Sequence, residues 1–364
     1  MAVKLQRIGI LTGGGDCPGL NAVIRSISKP AMSFYHSTVV GIQDGFEGLV
    51  EGSMKDLTWL DVSGIIGLGG TILGTSNKGD PFRYPMVRDG VMKVEDCSAR
   101  AMKHYTDWNL DVLFAIGGDG TMHIAKKFSE MGMNVIGIPK TIDNDLDGTD
   151  VTFGYDTAIE ISTQAIDRLH TTASSHHRIM VVEVMGRYTG WIALGAGLAG
   201  GADIILIPEI PFRWECVYRR VRERSLGARF SIICVAEGAA PENGERVVKE
   251  HDEKRTDPVR LGGIGDLVAH RIEENTGLET RVTVLGHLQR GGSPTAYDRV
   301  LASKFGVMAL DAASRGEFGC MVSLRGTDVR TVPLEEAIGK RKFVEPGSQI
   351  VTAAKGTGIM FGDC

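Results

Sequence analysis

Within fourteen residues, "GIPKTIDNDLDGTD", the chain sets one lysine, Lys140, ahead of four aspartates, Asp143, Asp145, Asp147 and Asp150. Carboxylates at that density repel, so a fold that keeps them either leaves them in water or sets them against a cation. A solvated acidic loop is the ordinary outcome. The chemical alternative needs an anionic ligand close by. Phosphates beside carboxylates call for a bridging hard cation, and Mg²⁺ takes one or two carboxylates and fills its shell with phosphate oxygens and water. A carboxylate left out of that shell is then free to accept a proton.

Three glycine-rich turns could receive such a ligand. "TGGGDCPGLN", which includes Gly14, follows an apolar run; its glycines let backbone N–H groups approach an anion, and Pro18 suits the first turn of a helix whose N-terminus favours phosphate. It matches neither GxxxxGK[ST] nor GxGxxG, and alone it is turn geometry. "AIGGDGTMHIA" puts Gly118, Asp119, Gly120 and Thr121 at a second strand-to-helix junction, and "LGGTILGTSNKGDPF" adds Gly69, Gly70, Gly74 and Lys78. Three such turns in one half point to a polyphosphate site. Asp119 and Asp145 are then the candidate Mg²⁺ holders, with Asp143 left to take a proton. No His/Cys group has zinc spacing, and His176-His177 is ordinarily a helix end or a solvent-facing pair.

The second half supplies cations. Arg178 precedes a strand, Arg187 follows one in "MGRYTG", and Arg281, His287 and Arg290 lie in "ETRVTVLGHLQRGGSP". One arginine is an ordinary surface residue, whereas several at strand ends facing the acidic half suit bidentate capture of a second phosphate. Glu237, closing "IICVAEG", can accept from sugar hydroxyls.

These positions need strands that end together. "RIGILT", "TVVGIQ", "DVLFAIG", "NVIGIP", "RIMVVEV", "ADIILIP", "FSIICVAE" and "TRVTVLG" are continuously apolar, as strands buried on both faces are. Helices are expected at Leu20 to Ser33, Thr121 to Met131, Thr157 to Leu169, Tyr188 to Leu198, Arg213 to Ser225 and Gly265 to Asn275. The alternation predicts an α/β protein with doubly wound, mostly parallel sheets. "RIGILTGGGDCPGLNAVI" and "RIMVVEVMGRYTGWIALGAGLA" share a strand, glycine turn and helix pattern, which predicts two similar halves meeting between Asp150 and Tyr155. The 364 residues, 43% hydrophobic, suffice for two cores. A net charge of −5 argues against a general nucleic-acid binder. Six scattered cysteines without a CxxC pair predict free thiols in a reducing, cytoplasmic compartment. The apolar span "GWIALGAGLAGGADIILIPEIPF" is divided by Gly200-Gly201 and Asp203 into a helix and a strand, so no membrane span is expected.

Taken in order, "GGGDCPGLNAVIR", "GGTILG", "IGGDGT", "PKTIDNDLDGTD", "SSHHRIMVVEVMGRYTG", "PEIPF", "AEG" and "ETRVTVLGHLQRGGSPTAYDRVLAS" resemble the 6-phosphofructokinase family over nearly the whole chain. The resemblance implies two Rossmann-like domains with the active site in the cleft between them. Residues 1–154 with a return at 288–340 would bind donor phosphates and Mg²⁺; residues 155–287 with the tail 341–364 would bind fructose 6-phosphate. It implies Asp143 as the base that takes the proton of the 1-hydroxyl, Thr141 and Arg187 beside the transferred phosphoryl group, and Asp119 with Asp145 on Mg²⁺. Gly14, Lys78, Gly118, Gly120 and Thr121 would meet the donor, and Met185, Gly186, Glu237, His287 and Arg290 the sugar. Arg178 and Arg281 match arginines that act from a neighbouring subunit, which implies a dimer or tetramer with a shared site. The alternative from another class is an inactive sugar-phosphate-binding regulatory subunit.

Departures from the bacterial ATP enzymes concern the donor. Lys78 stands one residue away from their arginine, and Ile124 replaces a small glycine near adenine. In this family Gly after "GGD" with Gly before "TIDND" accompanies ATP, and Asp with Lys accompanies pyrophosphate; here Gly120 stands with Lys140. Treating Lys140 as a mobile cation and Gly120 as permissive, ATP is expected as the main donor and pyrophosphate as a poor one. The family's pocket for ADP or phosphoenolpyruvate would fall on Ser53, His170, Leu226 and Ala228, with Arg25 and Lys29 retained, so weak control by those effectors is expected.

Overall fold

The structure, a computed structural model, describes residues 3–77, 79–88, 91–251 and 259–364. The first half runs β1 (Arg7–Thr12), α1 (Leu20–Phe34), β2 (Thr38–Ile42), α2 (Phe46–Glu51), β3 (Met54–Leu57), an antiparallel pair β4 and β5 (Tyr84–Arg88, Val91–Glu95), α3 (Ser98–Asp107), β6 (Val112–Gly117), α4 (Asp119–Glu130) and β7 (Val135–Pro139). A long helix, α5 (Tyr155–His176), leads into β8 (Ile179–Val184), α6 (Trp191–Ala199), β9 (Ile204–Leu206), α7 (Trp214–Leu226), β10 (Ser231–Ala236), the short pair β11 and β12 (Val248–His251, Val259–Leu261), α8 (Ile264–Thr276) and β13 (Thr280–Val284). The chain closes with α9 (Ala296–Ser314), β14 (Cys320–Arg325), β15 (Asp328–Pro333), α10 (Leu334–Ala337) and α11 (Gln349–Gly356).

Two sheets result. The larger has the order β15-β14-β7-β6-β1-β2-β3, parallel at its centre and antiparallel at both edges; the smaller, β13-β8-β10-β9, is wholly parallel. All eight strands expected from sequence are present. In the centre β1, β6 and β7 are buried almost throughout, which is why their sequences do not alternate. In a parallel sheet every strand ends on the same side, so the loops after β1, β6 and β7 converge on one edge, as do those after β8 and β10.

One buried cluster joins both halves. It holds Ile8 and Ile116 of the first sheet, Val182 and Cys234 of the second, and Ile166 of α5 and Phe305 of α9 between them. α9 lies against α1, where Gly306 leaves room for Ser26, whose hydroxyl donates to Val23 O at 2.9 Å and to Ala302 O at 3.4 Å. The span around Gly200 does split into α6 and β9, and among the described residues no helix is long and apolar enough to cross a membrane.

The cysteine expectation fails at one pair. Cys216 of α7 and Cys364 are joined in a disulfide, because residues beyond α11 return along β9, with Met360 beside Ile204, and bring the terminus back to α7. Cys17, Cys97, Cys234 and Cys320 are buried free thiols.

Candidate active site

The first two glycine-rich turns and the third are bound to one another. Thr12 Oγ1 donates to Gly74 O at 2.6 Å, Gly14 N donates to Ser76 O at 3.3 Å, and Thr75 Oγ1 donates to Gly14 O. Gly14 has φ +75°, a left-handed conformation that a side chain would strain. Thr121, in the first turn of α4, fills the space that a Cβ on Gly13 or Gly117 would occupy. Asp119 is the first residue of α4, at its positive end, 3.3 Å from His123, and Gly120 beside it is exposed. Lys78 lies outside the described residues.

Lys140 is not mobile. It is only 4% exposed, its ammonium donates to Gly15 O, its own N–H donates to Gly117 O at 2.9 Å, and burial lowers its pKa. The lysine therefore ties the β7 loop to the β1 turn, a fixed strut where the sequence predicted a flexible charge.

Pairing of Lys140 with Phe153 closes the acidic loop at its base. Inside it Thr141 Oγ1 accepts from Asp143 N at 3.1 Å, and Thr189 of the second half donates to Asp143 O at 3.2 Å. Asp143 Oδ1 is buried without a hydrogen-bond partner among the described residues. Burial raises the pKa of its carboxyl, against the pull of Arg290, Arg187, Lys140 and Arg341. Asn144, with φ +50°, parts Asp143 from Asp145. Asp145 is pushed up to about 7 by burial and by Asp143, with Arg341 Nε 4.0 Å away.

Four aspartates thus split into two pairs. Asp147 caps its own turn through Gly148 N at 2.9 Å, and exposed Asp150 binds Gly326 N at 2.7 Å and Arg325 at 3.4 Å. The bland reading of the cluster holds for these two. It fails for half-buried Asp143 and Asp145, whose carboxyls are desolvated enough to raise their pKa and so call for a cation or a proton.

From the second half, Met185, Gly186 and Arg187 follow β8 and Glu237 follows β10. Met185 N donates to Gln289 Oε1 at 3.2 Å, and Gly186 has φ +134°. Glu237 is raised to about 7 by burial and then by Asp143, with Arg187 and Arg290 opposing, so these four groups share one electrostatic site. Arg290 donates to Asp16 O at 3.3 Å and crowds Gly15, tying the segment after β13 to the β1 turn. His287 is exposed beside it.

Arg178 and Arg281 stand elsewhere. Arg178 precedes β8 and Arg281 is the second residue of β13, at the opposite edge of the parallel sheet from Arg187, roughly 20 Å away at strand spacing. Both pair with Glu279 instead, Arg178 Nε at 2.8 Å. These two therefore do not face the acidic half of their own chain. At the effector positions, His170 Nε2 is 2.7 Å from Gly200 O, and the Lys29 ammonium lies 3.8 Å over the Trp59 ring.

Several contributors escaped the sequence reading. Arg341 lies 3.8 Å over the Tyr188 ring, with Arg246 at 5.3 Å and Arg187 at 6.0 Å, and Lys342 reaches the acidic loop. The only signal is the basic "GKRKF", which does not say where the tail returns.

Among the described residues no group of three or more His, Cys, Asp or Glu side chains is arranged to hold a metal. Asp119 and Asp145 are a two-carboxylate set: burial, Asp143 and Asp119 together raise the pKa of Asp145 more than its long ion pair with Arg341 lowers it. That donor set fits Mg²⁺ borne jointly with phosphates and water, and not a cage made by protein alone.

Residues 7–313 match the phosphofructokinase family. The chain is 54% identical over 365 residues to an ATP-dependent 6-phosphofructokinase of Chloroflexus aggregans, covering 100% of this chain and 99% of that one. It is 51% identical over 341 residues to a pyrophosphate–fructose 6-phosphate 1-phosphotransferase of Amycolatopsis methanolica, covering 94% and 97%. A Saccharomyces cerevisiae phosphofructokinase structure superposes with a TM-score of 0.75 at 33% identity, over 91% of this chain and 45% of the yeast chain, so the present chain spans under half of that relative. A pyrophosphate-dependent phosphofructokinase structure from Nitrosospira multiformis, at 20% identity and a TM-score of 0.80, shares the fold.

Proposed function

The chain belongs to the phosphofructokinase family, and from that premise we propose that it transfers a phosphoryl group from ATP to the 1-hydroxyl of D-fructose 6-phosphate, giving fructose 1,6-bisphosphate in glycolysis. The observation that carries the site assignment is Asp143: a half-buried residue whose carboxylate has one oxygen buried and unpartnered among the described residues, on the edge where the halves meet. An oxygen in that state awaits a donor, and a sugar hydroxyl supplies one. Asp143 accepts the proton of the 1-hydroxyl as it attacks.

Phosphoryl transfer asks a protein mainly for in-line positioning and charge neutralisation. Amides at Gly14, Gly118, Gly120 and Thr121, with the N-terminus of α4, receive the donor phosphates. Lys140 holds the Gly14-Gly15 turn against the loop of the base. Asp119 and Asp145 would hold Mg²⁺, which when bound neutralises the donor oxygens. Thr141 and Arg187 flank the moving group, while Met185, Gly186, Glu237, His287 and Arg290 orient the sugar. Arg178 and Arg281 serve the site of a neighbouring subunit, in keeping with their position far from Arg187. A homo-oligomer, a domain division of 1–154 with 288–340 against 155–287 with 341–364, and a cytoplasmic location belong to the same proposal.

One observation favours a second donor. Buried Lys140 is the pyrophosphate-type residue at its position, and a relative at 51% identity carries a pyrophosphate name. Exposed Gly120 keeps the first reading ahead, since it puts no carboxylate where an α-phosphate must pass. The test is ³¹P NMR of purified protein with ATP, Mg²⁺ and fructose 6-phosphate. A new C1 phosphate signal is expected; none, with either donor, would refute the activity.

A further inference from the structure

The acidic loop passes through two left-handed residues, Gly148 at φ +77°, where glycine sits without strain, and Asn144 at φ +50°, where a side chain carries a cost. What holds it is residue 342. The Lys342 ammonium donates to Asn144 Oδ1 at 2.9 Å, Thr149 O at 3.1 Å and Asp150 O at 2.7 Å, three acceptors for three hydrogens. Its backbone N–H donates to Asp145 O at 2.9 Å, and the preceding Arg341 pairs with Leu146 as an antiparallel bridge. Asn144 Oδ1 also accepts from Thr152 N at 3.1 Å, so the ammonium and the far limb of the loop meet on one side chain.

The same short segment is anchored to the second half. Trp191 Nε1, at the start of α6, donates to Lys342 O at 2.7 Å. Val344 N donates to Glu209 Oε1 at 2.9 Å, and the Glu209 carboxylate accepts in turn from Gly190 N at 3.0 Å. Residues 341–344 therefore form a strap from the loop of Asp143 and Asp145 to the turn that follows Arg187.

We infer that Lys342 is a positioning residue for phosphoryl transfer: its ammonium fixes Asn144, and so the spacing of Asp143 and Asp145, while its peptide group ties that loop to the sugar-binding half. This rests on the phosphofructokinase reading above. Two of the three acceptors of the ammonium are backbone carbonyls and the third is an amide. The cation thus sets the shape of the loop, and the nearby carboxylates of Asp145, Asp147 and Asp150 add attraction without direct ion pairs. Without it the carbonyls of Thr149 and Asp150 lose this donor, and Asn144, left with Thr152 N alone, loses part of what holds it in a left-handed conformation. Displacement of a reacting group by about 1 Å can cost about 100-fold in rate.

The experiment compares wild type, Lys342→Met, Lys342→Arg and Trp191→Phe by steady-state kinetics with ATP, Mg²⁺ and fructose 6-phosphate, with melting temperatures alongside. Lys342→Met is expected to lose about 10- to 100-fold in kcat with KM for fructose 6-phosphate within about threefold. Lys342→Arg should recover most of the loss, and Trp191→Phe, which loosens only the strap, should lose a few-fold. A kcat within twofold of wild type in Lys342→Met, a loss confined to KM, or an arginine variant as poor as the methionine one would overturn the inference. Should Lys342→Met fail to fold, an unchanged kcat in Trp191→Phe would overturn it alone. A wild type that forms no fructose 1,6-bisphosphate would instead refute the function itself.

Discussion

Replacing Lys140 by methionine removes the ammonium while keeping most of the length of its unbranched side chain. The lysine is 4% exposed, and its ammonium faces Gly15 O with Asp143, Asp16 and Arg290 around it. A hydrogen bond from a charged donor contributes about 1.5–3 kcal/mol, and solvent screening is slight at this depth. If that energy serves to order the donor turn, its loss lowers kcat/KM for ATP by about 10- to 100-fold, since about 1.4 kcal/mol is tenfold. Pyrophosphate, which has only its phosphates to bind with, should lose at least as much. Folding should not suffer, because the variant also escapes the cost of burying an ammonium. The assay is coupled kinetics with each donor at saturating fructose 6-phosphate, beside a melting curve. A kcat/KM for ATP within twofold of wild type would show that Lys140 does not order the donor turn, and a large drop in melting temperature would show that its role is in the fold.

Asp143→Asn keeps the shape of the base and is expected to cost about 10²–10⁴ in turnover, leaving fructose 6-phosphate affinity largely intact; equal turnover would remove Asp143 from the mechanism. Glu237 holds its proton to about pH 7 in the fold, whereas an unperturbed glutamate releases it near 4.5. The folded state binds more protons between those values, so its stability falls as pH rises through the window, by about 3 kcal/mol from this group alone. Glu237→Gln should therefore gain melting temperature over wild type progressively from pH 5 to 8, and parallel curves would contradict the burial argument. Mixing inactive Asp143→Asn and Arg281→Ala chains under subunit exchange should restore activity through hybrid oligomers, and no recovery after verified exchange would count against a shared site.

The strands were legible because β1, β6, β7, β8 and β10 are buried on both faces, so each sequence is a near-continuous apolar run, interrupted in β8 by buried Glu183. α9 was not anticipated for the opposite reason. Opposite its buried Leu301, Ala302, Phe305, Ala309 and Leu310 it exposes Tyr297, Val300 and Val307, so apolar residues run round the helix and blur the polar stripe that marks an amphipathic one. β14 and β15 join the first sheet from far along the chain, and nothing local in "CMVSLR" or "DVRTVP" names their partners. Turn residues of the site were visible as the glycines beside Asp119. Whether Arg178 and Arg281 share an edge with Arg187 depends on strand direction, and flanking a strand does not reveal which end matters. Lys342 and the partnership of Cys216 with Cys364 depend on the path of the tail, which only tertiary structure fixes.

The central claim is that this fold moves a phosphoryl group from ATP to fructose 6-phosphate with Gly120 admitting the nucleotide and Lys140 fixing the turn that receives it. Steady-state kinetics of the purified protein with ATP and with pyrophosphate, each at saturating fructose 6-phosphate and Mg²⁺, test it most directly. The account predicts fructose 1,6-bisphosphate from ATP, with a specificity constant above that for pyrophosphate. A higher specificity constant for pyrophosphate would contradict the weight given to Gly120 over Lys140, and no product from either donor would contradict the claim as a whole.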